Sequence, residues 1–274
     1  MVEEKDVEAF QRDGAVCLRG VFRDWVEVIA AGIARNMAEP GPYASENFTP
    51  GDTGRFFDDY CNWERIPEFR DVVLHSPAAE IAARIMRSGT AQFFHDHVLV
   101  KEPGTSKATP WHQDMPYYFV AGEQTVSFWI PVDPVTDATL RVIAGSHLWN
   151  KAVLPVRWLD DESFYADPEE FIPVPRPDAE PEKYRILEWA MAPGDAVLFD
   201  YRAVHGARAN MAAQRRRALS IRWVGDDARY VTRPGRTSPP YPGHGMKDGQ
   251  RLREDWFPVV WKSGAATPAL KSGT

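Results

Sequence analysis

From Gly89 onward the apolar residues of this chain come in short runs with proline or glycine between them. Ala91–Val100, Val126–Val132, Leu140–Ile143, Tyr184–Trp189, Asp195–Asp200 and Ala218–Val224 span four to ten residues each, the length of strands rather than of ordinary helices. Turn residues such as Pro103-Gly104, Gly145 and Pro193-Gly194 separate them. A succession of short strands with no helical period between them closes into a sandwich or a barrel. The 14 Phe, 10 Trp and 9 Tyr agree, because bulky rings suit a pleated sheet.

The residues before Gly89 follow a different pattern. Val7–Arg12 and Trp25–Met37 carry apolar side chains at helical spacing, with Asp24 placed to cap the second stretch. Glu39–Asn62, rich in Pro, Gly, Asp and aromatics, reads as an ordered loop, and Ser76–Met86 as a short helix capped at Ser76. The expectation is one domain over 1–274, mainly β with flanking helices: a helical part to about 88, a β core over about 89–225 interrupted by an insertion at 151–183, and an extension over 226–274. The insertion is rich in Pro, Asp and Glu, a composition that suits a lid or binding wall and equally a disordered excursion.

Charge narrows the partners. With 32 Lys and Arg against 39 Asp and Glu the formal charge is −7, and the one dense basic run, Arg215-Arg216-Arg217, is too short to track a nucleic-acid backbone. Two cysteines, Cys17 and Cys61, with no Cys-x-x-Cys spacing, make neither a disulfide framework nor a zinc site and fit a reducing cytoplasm. The first residues lack a hydrophobic signal core, and no apolar run is long enough to span a bilayer. The expected partner is a small molecule, with neither nucleic acid nor membrane.

Trp111-His112-Gln113-Asp114 is followed 91 residues after Asp114 by His205, and Arg216 comes eleven residues later. Alternate side chains of an extended segment share a face, so His112 and Asp114 can reach one ion, and His205 from a distant strand can complete a triangle. Two imidazoles and one carboxylate leave open positions on the metal, as non-haem Fe(II) oxygenases require for a bidentate co-substrate and dioxygen. Structural zinc would want four protein ligands. A dicarboxylate co-substrate such as 2-oxoglutarate then needs a fixed cation. The planar guanidinium of Arg216 suits it, while Arg215 and Arg217 should face away.

These residues carry a resemblance. The chain resembles the phytanoyl-CoA dioxygenase-like Fe(II)/2-oxoglutarate oxygenases, beginning at Phe10-Gln11-Arg12-Asp13-Gly14-Ala15-Val16. The likeness is strongest over Asp96–Gly104 with Trp111–Asp114, over Leu140–His147, and over Pro193-Gly194-Asp195 through His205-Gly206 to Ser220. It implies a double-stranded β-helix, the jelly roll of the cupins, with His112, Asp114 and His205 holding Fe(II) and Arg216 anchoring 2-oxoglutarate. It also implies Trp129 beside the co-substrate, His97 lining that pocket, and Arg55 reaching it from an upstream loop. Ala207 stands where relatives often carry a serine. Halogenases of the family replace the carboxylate ligand with a small residue; Asp114 is present here, which implies hydroxylation or a related oxidation using O2, with succinate and carbon dioxide as co-products.

Several residues stay open on sequence alone. His95 shares a face with His97, and either could be structural; Lys101 could also point inward. His147 reads as part of a turn, and His75 and His244 have no visible partners. Tyr117-Tyr118-Phe119 reads equally as substrate wall and as hairpin packing, with Trp158, Phe164 and Tyr165 as comparable lid residues. The alternative to an oxygenase is a non-catalytic small-molecule binding or sensing protein on the same jelly roll.

Overall fold

The computed structural model describes residues 2–156 and 170–264. Trp158, Phe164 and Tyr165 lie outside the described residues. Two antiparallel sheets form the core. The larger has eight strands, running in space Ala15–Leu18, Ala196–Phe199, Thr125–Pro131, Arg216–Val224, Thr90–Lys101, Phe56–Tyr60 and Ser45–Asn47, with Val259–Lys262 also paired to Thr90–Lys101. The smaller has four, in the order Thr109–His112, His205–Ala207, Leu140–Ile143 and Ile186–Glu188. The strand runs predict a sandwich or barrel and the resemblance a jelly roll, and the facing sheets form that jelly roll.

The large sheet is buried on both faces, and each face takes alternate residues of the same strand. Along Arg216–Val224, Leu219, Ile221 and Trp223 pack with the helices Glu4–Asp13, Val26–Ala38, Pro67–His75 and Ala78–Met86. The intervening Arg216, Ala218, Ser220 and Arg222 face the small sheet. Their cross-strand partners obey the same alternation: Lys101, Leu99, His97 and His95 on one side, and Pro131, Trp129 and Ser127 on the other. Polar side chains are thereby concentrated on one inner face, while the helix side is apolar.

Several local expectations are corrected. Glu39–Asn62 is not only loop: Ser45–Asn47 and Phe56–Tyr60 extend the large sheet from Thr90–Lys101. Asp24 does not cap the second helix; it sits in the 3-10 turn Arg23–Trp25, and Trp25 takes the cap position without a side-chain bond. The helix expected from Ser76 begins at Ala78, with Pro77 at its cap, although Ser76 Oγ still accepts from Ala78 N at 3.3 Å. The helix Pro67–His75 before it adds to the expected elements and opens with proline at its first position, where the missing N–H costs nothing.

The ends of the 151–183 insertion are tied to the barrel. Val153 N donates to Gln113 Oε1 at 2.7 Å, and Arg141 pairs with Asp178 at 2.7 Å. The Tyr117 hydroxyl donates to Val156 O at 2.7 Å and accepts from Val156 N at 2.9 Å. No helix among the described residues is long and apolar enough to cross a membrane.

Candidate metal and co-substrate site

His205 and His112 are direct cross-strand partners in the small sheet, and their ring centroids lie 4.2 Å apart. Asp114 joins them by a route other than strand alternation. His112 ends its strand, and Asp114 has helical dihedrals (φ −71°, ψ −40°) at the head of the turn Met115–Tyr117. Its Oδ1 lies 3.7 Å from His112 Nε2 and 3.9 Å from His205 Nε2. Among the described residues these three form the one group of metal-ligating side chains whose donor atoms all fall within 4.8 Å of one another.

The hydrogen bonds leave the right atoms for an ion. His112 Nδ1 faces Pro110 O at 2.8 Å, and His205 Nδ1 faces Ala203 O at 3.0 Å. A carbonyl can only accept, so both Nδ1 atoms carry the proton and both Nε2 lone pairs are left for a metal. Burial first, and then His112, push His205 down to about 3, which keeps it neutral. Asp114 Oδ2 accepts from Ser127 Oγ at 3.0 Å and from Arg222 Nε at 3.3 Å. That oxygen is occupied, and Oδ1 remains for coordination. Burial would raise the Asp114 pKa, but its neighbours, the Arg222 cation first, outweigh it and hold the carboxylate ionised.

Arg216 is the second half of the site. It lines a narrow cleft with Trp129, Ala207, His112 and His205, and its guanidinium lies 5.4 Å from the Trp129 ring centroid. The side chain is 3% exposed, and its Nε and Nη2 have no hydrogen-bond partner among the described residues. Burial pushes it down to about 10. A buried cation with two idle donors beside a metal triangle fits a bidentate carboxylate. Arg215 and Arg217 do turn away, to Glu102 and Asp133.

Of the other expected residues, Trp129 and His97 both line this cleft, and His97 also lines the larger cavity beside it. Arg55 is the exception: it pairs with Glu46 and is not among the residues lining either space. Lys101 is fully buried opposite Arg216 and donates to Arg208 O at 3.0 Å. His147 serves the fold, with its Nε2 3.2 Å from Gln11 O. Tyr117, Tyr118 and Phe119 pack in one aromatic cluster, and of the three Tyr117 and Tyr118 also line the larger cavity. Ser127 and Arg222 were not singled out in the sequence. Both were within reach, since Arg222 shares the period-2 face of Arg216, and Ser127 that of Trp129.

The larger cavity has a volume of about 570 Å³ and opens next to His112 and Asp114. Its outer wall includes Arg236, Thr237, Ser238 and Pro239, so the proline-rich extension beyond 226 forms part of the site.

Comparison with known proteins agrees with this geometry. The family model described as phytanoyl-CoA dioxygenase matches residues 10–218. A probable phytanoyl-CoA dioxygenase of Caenorhabditis elegans is 25% identical over 191 residues, 65% of this chain, and the chain spans about half of that relative's length, 54%. Among solved structures, the non-haem α-ketoglutarate-dependent carbocyclase SnoK of nogalamycin biosynthesis is similar with a TM-score of 0.73 at 23% identity, covering 95% of this chain and 97% of its own. The epimerase SnoN, in complex with Fe3+, α-ketoglutarate and nogalamycin RO, is similar with a TM-score of 0.74 at 20% identity, covering 94% and 98%.

Proposed function

This chain belongs to the phytanoyl-CoA dioxygenase family, whose members are Fe(II)- and 2-oxoglutarate-dependent oxygenases, and from that premise we propose that it oxidises a small organic molecule held in the 570 Å³ cavity. The observation that carries the reading is the pairing of an ion-ready triangle, His112, Asp114 and His205, with the idle donors of Arg216, which shares one cleft with His112 and His205. When bound, Fe(II) with 2-oxoglutarate supplies the activation of O2, with succinate and carbon dioxide as co-products.

The chain's own residues do the rest. His112, Asp114 and His205 hold the ion on one side only. Arg216 takes the distal carboxylate of 2-oxoglutarate against Trp129, with His97 closing the cleft. Ser127 and Arg222 keep Asp114 to a single free oxygen, which prevents a second carboxylate bond from using an open position. The apolar sides of the cleft, Leu99, Leu140 and Phe199, exclude water from the reacting centre. A sensing protein would keep the barrel but has no use for the intact triangle and the anchor together. Cytoplasmic placement, consistent with the unpaired Cys17 and Cys61, belongs to the same proposal.

The test is anaerobic addition of Fe(II) and 2-oxoglutarate, read by the visible charge-transfer band of the chelate. The band should form in the wild-type protein and be absent in His112→Ala. Iron binding without the band would refute the co-substrate assignment.

A further inference from the structure

His95 in the cavity wall has no task in holding the metal or 2-oxoglutarate, and Arg222 beside it spends only part of its guanidinium on Asp114. His95 and Arg222 are cross-strand partners, 2% and 5% exposed, and both line the larger cavity. His95 Nδ1 faces Asp96 O at 3.1 Å. The carbonyl accepts, so Nδ1 carries the ring proton, and Nε2, which is buried without a hydrogen-bond partner among the described residues, presents only a lone pair. Arg222 uses Nε on Asp114 and Nη1 on Ser220 Oγ, at 3.3 and 3.2 Å, and its Nη2 has no hydrogen-bond partner among the described residues. The Tyr118 ring braces both, edge-on to His95 at 5.2 Å and beneath the guanidinium at 5.8 Å.

One acceptor and one donor thus stand side by side next to the metal face. We propose that His95 and Arg222 bind a neutral hydroxyl of the substrate, the oxygen accepting from Arg222 Nη2 and its proton going to His95 Nε2. This rests on the oxygenase reading above and names the substrate class for it: an alcohol, phenol or enol carried on a ring. An ammonium would meet the guanidinium. A carboxylate would meet the His95 lone pair, and the charge of Arg222 is already balanced by Asp114. The rings of Tyr60, Tyr117 and Tyr118 in the same wall suit a flat or cyclic skeleton, and the cavity volume is that of a multi-ring molecule.

The experiment uses three probes of one skeleton, 2-naphthol, 2-naphthoate and 2-naphthylmethylamine, titrated calorimetrically into the anaerobic protein loaded with Fe(II) and 2-oxoglutarate. 2-Naphthol should bind at least about tenfold more tightly than either ion, the worth of one well-made buried hydrogen bond. His95→Phe should erase that preference and His95→Gln, which keeps an acceptor, should restore part of it. Both should retain the 2-oxoglutarate affinity of the wild type. His95→Phe keeps the ring volume, and Asp96 O still accepts from Cys61 N, so the strand has no orphaned carbonyl. Equal or weaker binding of 2-naphthol, including none measurable, overturns the proposal. So does a preference unchanged in His95→Phe. Failure of the loaded complex to form in the wild type would instead refute the oxygenase reading.

Discussion

Replacing Arg216 by methionine should make the metal-free protein more stable while removing its affinity for 2-oxoglutarate. The guanidinium is 3% exposed, two of its nitrogens are unpartnered, and burial depresses it to about 10. A displacement of that size from the ordinary arginine value corresponds to about 3 kcal/mol spent on holding the charged form. Methionine removes that cost and gives up the stacking on Trp129, worth about 1 kcal/mol. The net gain is about 2 kcal/mol, or a rise in Tm of about 5 °C for a chain of this size. In the loaded protein the same substitution deletes two charge-assisted hydrogen bonds of about 1.5–3 kcal/mol each, which predicts a loss of about 10²- to 10⁴-fold in 2-oxoglutarate affinity. Thermal denaturation of the metal-free protein and anaerobic titration of the charge-transfer band measure the two effects. A metal-free Arg216→Met protein less stable than wild type, or one that binds 2-oxoglutarate within tenfold of it, would refute the view of Arg216 as a cation waiting for an anion.

Other outcomes follow from the same contacts. Ser127→Ala removes one of the two bonds on Asp114 Oδ2 and should weaken Fe(II) binding about tenfold in a chelator competition, with the band recovered at saturating iron. Asp195 accepts from Ala192 N at 3.0 Å, Arg19 Nη1 at 2.8 Å and Gly20 N at 2.8 Å. Burial raises its pKa, but these donors outweigh burial and leave it below the ordinary carboxylate value. The stability it contributes is therefore present above that ordinary value and lost as pH falls through the lower, folded one. Asp195→Asn should lower Tm at pH 7, with the gap from wild type closing in acid below about pH 4; a gap independent of pH would contradict this.

How far the sequence reached can be judged element by element. Runs such as Leu140–Ile143 announce themselves because a short apolar stretch between turns has few other readings. Phe56–Tyr60 did not, since Phe-Phe-Asp-Asp-Tyr lacks alternation. Asp58 turns to Asn47 and the cavity, and Asp59 is held by Asn36 and Gly41. Its strand character comes from pairing with Thr90–Lys101, a tertiary effect. The metal triangle was legible from residue types and spacing, although Asp114 reaches it through a turn and not through a shared strand face. Arg55 was misplaced because a loop alignment carries no register, and Glu46 on the neighbouring strand captures it. Arg222 and Ser127 were legible in principle. Counting by twos from Arg216 and Trp129 reaches both, but an arginine within an apolar strand points to chemistry only once the cross-strand partner, His95, is known.

The most direct test of the central claim is an anaerobic crystal structure with Fe(II) and 2-oxoglutarate, with the iron located by its anomalous scattering. The account predicts one iron peak about 2.0–2.2 Å from His112 Nε2, His205 Nε2 and Asp114 Oδ1, the usual range for nitrogen and oxygen ligands, and a carboxylate of 2-oxoglutarate on Arg216. A peak bound by other side chains, or 2-oxoglutarate held away from Arg216, would contradict it.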